Sequence, residues 1–279
     1  MIKKWTYFGM LILAGFGYYG CHQSSATRQQ RETTADSSRK ALKKVDTSAT
    51  TPELWNLQEE PPPDFNLRQV RMLSRVVYDT LRIKIDPDMP EDTVERTFKD
   101  LSFFSTNKNR YAVAVAENRG PFYGASYGWC DIFIFKKEKD KWTMTDFMLQ
   151  AGGGGMYGHP GNFSTLVRTG DHSLAIVLEG GQEHMGGNYH HSLINFENEK
   201  LKRLCSISTM HNYGSGAGDD FAYTECDSNK YHFIRNGKAV YDLKIEKYNC
   251  LSKGGEKVDE VIVPYTKGYH IPERFNFSS

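Results

Sequence analysis

His184, His190 and His191 fall in one short stretch beside Glu179 and Glu183, and His159 and His211 sit in neighbouring glycine-rich segments. Imidazole and carboxylate groups together suit zinc or copper. In an extended segment His190 and His191 point to opposite faces, so at most one of them faces His184. His184, His190, His191 and Glu183 are therefore the candidate metal group, with zinc the only candidate cofactor. The competing reading makes them polar loop residues bonded to exposed backbone. No His-Glu-x-x-His run supports the metal, and Asp219-Asp220 lacks calcium-loop spacing.

Two other stretches imitate catalytic motifs. Gly124-Ala125-Ser126-Tyr127-Gly128 has the Gly-x-Ser-x-Gly form of a nucleophile elbow, which needs a strand-to-helix turn behind the serine. The following Trp129-Cys130-Asp131-Ile132-Phe133 reads as a strand, so Ser126 belongs to a glycine-rich β-loop and no catalytic residue is assigned. Gly153 to Gly158 satisfies Gly-x-Gly-x-x-Gly, but His159-Pro160-Gly161 leaves no helix to present amides to a pyrophosphate.

The same loops suit recognition. Stretches 120–129, 150–161, 180–191 and 211–220 mix Gly with Tyr, Phe, His and Asn. Glycine lets backbone approach a ligand, and aromatic rings give contact area at low entropic cost. Tyr127, Tyr157, His159 and Tyr189 are the candidate ligand-binding residues. The alternative is plain turn chemistry.

The elements that must carry these loops read as mainly β. Leu67, Val70, Leu73, Val76 and Val77 have helical spacing, and Val94, Phe98 and Leu101 suggest a second short helix. Leu81, Ile83 and Ile85 alternate like a strand. From Arg110 onward strands follow one another. Hairpins are expected across Lys136–Lys141, across Glu197–Lys200, and at Asn236-Gly237 between 231–234 and 239–245. A faint repeat relates Ala112–Glu117 and Ile132–Phe135 to Leu174–Glu179 and Leu193–Phe196, 61 to 62 residues apart, matching Glu117 with Glu179 and Tyr127 with Tyr189. The expected architecture is an antiparallel sheet or sandwich with propeller-like repeated β units and one or two short N-terminal helices.

Lys plus Arg is 35 and Asp plus Glu 34 in 279 residues, which excludes a general nucleic-acid binder. Aromatic residues at 13% argue against disorder throughout. Residues 22–51 hold no aromatic residue and little aliphatic bulk, and Pro61-Pro62-Pro63 is a stiff spacer. The expected layout is a leader over 1–20, a tether over 21–63, and a single β domain over 64–279.

Lys3-Lys4 precede an uncharged run from Trp5 to Tyr19, shorter than the about 20 residues of a membrane span. Gly20-Cys21 closes it. This resembles the lipobox of bacterial lipoproteins, although Tyr18 and Tyr19 depart from the usual aliphatic and small residues. The resemblance implies cleavage before Cys21, lipidation of Cys21, and a domain held at the bacterial envelope membrane, in the periplasm or at the surface. Cys130, Cys205, Cys226 and Cys250 remain, with three pairings open and the unpaired state the alternative. Trp142, Gly152–Gly155, His159-Pro160-Gly161 and Glu179-Gly180-Gly181 resemble a run found in uncharacterised exported β-rich bacterial proteins, a likeness that implies no activity. The expectation is an envelope-anchored, non-enzymatic binding or interaction module with an envelope protein as candidate partner. The alternatives are a metal-assisted hydrolase of envelope polymers and a structural envelope component.

Overall fold

A computed structural model describes residues 55–81, 94–120, 127–183, 186–215, 222–251 and 255–277. The leader, Cys21, Ile83, Ile85, Ser126, His184 and Asp219-Asp220 lie outside the described residues, as does the Glu183 side chain. No helix among the described residues is long and apolar enough to cross a membrane.

Helix α1 spans Leu67–Leu81. Its start is a capping box: Asn66 Oδ1 accepts from the Arg68 amide at 3.0 Å, and Gln69 Oε1 accepts from the Asn66 amide at 2.8 Å. Eleven strands follow among the described residues: β1 Glu95–Ser105, β2 Arg110–Arg119, β3 Trp129–Glu138, β4 Lys141–Gly152, β5 Asn162–Arg168, β6 Ser173–Glu183, β7 Gly186–Glu197, β8 Lys200–Ser215, β9 Ala222–Ile234, β10 Asp242–Asn249 and β11 Glu256–Val263. They form two antiparallel sheets, one ordered β1-β2-β3-β4 and the other β11-β10-β9-β8-β7-β6-β5.

Alternating side chains give each sheet two apolar faces. Val113, Val115, Ile132 and Ile134 of the small sheet meet Leu174, Ile176, Leu178, Ile194 and Phe196 of the large one. The other face of the small sheet, with Ala112, Ala114, Phe133 and Phe135, is covered by Phe65, Val70 and Val77. The other face of the large sheet, with Val177, Leu193 and Ile207, is covered by Tyr269 and Phe275 of the C-terminal segment. Residues on both faces of β2 and β3 are buried, which explains their near-continuous apolar runs.

Several expectations change. The second helix is strand β1. A register shift between Phe98 and Asp100 inserts one residue, so Phe98, Leu101 and Phe103 share a face. A β-bulge thus imitates helical spacing. Ordered contacts begin before Asp64: Asn56 bridges Ser105, Trp55 packs 6.0 Å from Phe104, and Arg110 pairs with Glu59 at 2.5 Å. Asn236-Gly237 does not make a two-residue hairpin, because Val240 bridges Gly170 and pairing resumes only at Ile234 and Asp242. Of the four candidate cysteines, Cys226 and Cys250 are bridged, whereas Cys130 and Cys205 are free. Cys130 belongs to the core between the sheets and Cys205 packs on the opposite face of the large sheet, so that sheet separates them. The two similar segments lie in different sheets, as β2-β3 and as β6-β7.

Candidate functional site

The segment from Gly152 to Asn162 carries the chain from β4 in one sheet to β5 in the other. It threads between strand ends, and backbone contact there is too close for side chains. A Cβ on Gly155 would collide with the Gly181 carbonyl oxygen. Tyr157, a non-glycine residue, is held at φ 56° within the same turn. The loop is fastened on several sides. Gly120 donates to Gly158 O at 3.2 Å, Gly181 donates to Gly154 O at 2.8 Å, and Gly154 donates to Pro160 O at 2.8 Å. Cys130 Sγ donates to Pro160 O at 3.3 Å, and burial pushes its thiol up to about 12. Cys130 is structural here, since a buried neutral thiol is a poor nucleophile.

Two cavities flank this crossover. The first, about 500 Å³, is lined by Tyr127, Gly128, the Gly153–Gly155 run, Gln182, Tyr189, His190 and Phe277, among others. The second, about 630 Å³, is lined by Lys99, Glu117, Arg119, Tyr157, His159 and Glu179, among others. Gly181, Gln182 and Tyr189 line both. The structure therefore brings Tyr127 and Tyr189 to one cavity, and Tyr157 and His159 to its neighbour. Tyr189 lies over Gly181 and Gly187, where a Cβ would strike its ring. Small-molecule sites commonly occupy this volume range.

Among the described residues no cluster of three or more His, Cys, Asp or Glu side chains could hold an ion, and two members of the candidate metal group, His184 and the Glu183 side chain, lie outside them. His190 Nε2 lies 3.2 Å from Gly153 O. His191 Nδ1 shares a 2.8 Å hydrogen bond with the Tyr231 hydroxyl, and its Nε2 lies 3.6 Å from Glu179. Burial holds His191 below its ordinary range, against the pull of the Glu179 charge. Ser164, then Asn162 and His191, hold Glu179 below the usual carboxylate range. His211 bonds Asn188 at 2.6 Å.

Sequence reasoning missed Lys99, Glu117 and Arg119 as members of the second cavity. Lys99 is the residue bulged out of β1, and it reaches Glu117 at 2.5 Å. Glu117 is only 6% exposed. A carboxylate closing an otherwise apolar run, Ala112–Ala116, was the available signal. No family model, no curated protein and no solved structure matches this chain.

Proposed function

We propose that the protein is a recognition module whose binding surface is the pair of cavities around the Gly152–Asn162 crossover. The single observation that carries the reading is the convergence there of the glycine-rich stretches, with Tyr127, just before β3 of one sheet, and Tyr189 of β7 in the other on a common cavity. Backbone fastened on several sides gives a preformed site, which lowers the ordering cost of binding. The proposal keeps the lipid anchor at Cys21, so that the module works at a bacterial envelope membrane on an envelope component. For the metal-assisted hydrolase, no observation among the described residues speaks in its favour, and His190 and His191 are each engaged within the chain.

The test places a photo-crosslinking amino acid at Tyr127 or at Tyr223 of the full-length chain in its native cells. Both positions are exposed, at 58% and 53%, and Tyr223 lines neither cavity. An adduct of defined mass at 127 and none at 223 is expected. Equal labelling, or none at 127, contradicts the reading. A Cys21→Ser chain should leave the membrane fraction. If it stays there, the anchor is wrong while the groove stands.

A further inference from the structure

The larger charge-bearing cavity and the smaller one differ in chemistry. Among the described residues the smaller cavity has no Lys, Arg, Asp or Glu in its lining, which includes the imidazole of His190. An ionic ligand entering it would lose hydration and meet no carboxylate, ammonium or guanidinium among those residues, which favours a neutral occupant. The rings of Tyr127, Tyr189 and Phe277 and the thioether of Met210 offer apolar faces, while Gln182 and Ser206 offer an amide and a hydroxyl. An occupant must therefore present flat C–H faces and hydroxyl or amide groups together. A neutral peptide would instead pair through its backbone. Two of the glycine amides that could meet it are already used, Gly154 N by Pro160 O and Gly181 N by Gly154 O.

Resting on the recognition reading above, we propose that this cavity binds a short segment of an uncharged saccharide. Sugar rings lie against Tyr127 and Tyr189, and Gln182 and Ser206 bond ring substituents. About 500 Å³ holds one or two such rings. The shared border at Gly181, Gln182 and Tyr189 lets a longer chain continue toward the charged cavity.

Calorimetric titration of the full-length protein with tri-N-acetylchitotriose, cellotriose and the uncharged peptide N-acetyl-trialanine amide tests this. Saturable binding of at least one trisaccharide, weakened about tenfold by Tyr127→Ala and by Gln182→Ala with an unchanged melting temperature, is expected. No saturable sugar binding up to about 10 mM overturns it. So does sugar binding that neither variant changes, or preferential binding of the peptide. If the sugars fail while crosslinking at 127 remains selective, only the ligand class falls. If both fail, the recognition reading falls with it.

Discussion

In the β2–β3 hairpin, Glu117 lies opposite Cys130 on the face that meets the other sheet, nearly buried and paired with Lys99. In the similar β6–β7 hairpin, Glu179 lies opposite His191 on the outward face, beside Ser164 and Asn162. The two glutamates match in sequence at an offset of 62, but the core residues Val113 and Val115 match Leu174 and Ile176 at 61. A strand alternates faces with period two, so a slip of one residue reverses the side chain. The first hairpin has drawn its polar groups into the core. Burial raises Asp131 above the usual carboxylate range, and burial with the Glu117 charge does the same to Asp100. The second hairpin keeps its polar groups at solvent-lined positions, where Glu179 is held low by hydrogen bonds. One half anchors the crossover and the other presents it.

The largest expected effect comes from the anchoring half. Phe133 is fully buried and contacts Tyr78, Phe98 and Phe147. Phe133→Ala should cost about 3–5 kcal/mol in urea unfolding. A cost below about 1 kcal/mol would show that this face is not a packed core.

Next is Asp131, which accepts from Tyr78 at 2.8 Å, Asn118 at 2.9 Å and the Gln150 amide at 2.7 Å. Asp131→Ala removes the acceptor shared by these three donors, of which Asn118 is buried and Tyr78 half-buried, and should cost about 2–3 kcal/mol. Asp131→Asn should cost less, since it keeps an acceptor. Equal losses for the two variants would show that packing, not the acceptor, matters there.

A smaller effect separates the hairpins by pH. The folded pKa of Asp131 is raised above 3.8, so its contribution is full at low pH and lost as pH rises through the folded value. His191 is depressed below 6.5. The unfolded chain therefore takes that proton first, and stability falls as pH drops below 6.5. Glu179 is depressed below 4.5, and its contribution is lost as pH falls through its folded value. Acidification from about 7 to about 5 should loosen β6–β7 before β2–β3, read as amide exchange, and His191→Gln should flatten the response. The reverse order would break the comparison.

The smallest expected change is in the presenting half. Tyr127→Ala should alter stability by no more than about 0.5 kcal/mol, because the residue is 58% exposed. A larger loss would make Tyr127 a packing residue.

Much of the architecture was legible because β-period alternation is local. The hairpins across Lys136–Lys141 and Glu197–Lys200 stand where the charged turns suggest. The misreadings come from long-range demands. The bulge at Lys99 depends on what β1 faces, and Val240 leaves the Asn236-Gly237 turn to pair with distant Gly170. Trp55 packs on Phe104 and donates to the Asp171 carbonyl, both distant in sequence. The glycine-rich loops were visible, but that they fasten one sheet to the other was not, since composition carries no record of which backbone approaches which. The Asn66–Gln69 capping box was readable from its spacing and was overlooked.

The most direct measurement is hydrogen–deuterium exchange of the full-length protein with and without envelope material from its native cells. Slowed exchange confined to 153–161 and 181–190, with 222–226 unchanged, is the expected result. Protection of 222–226 alone, or no protection at the crossover, would contradict the claim that the paired cavities are the binding surface.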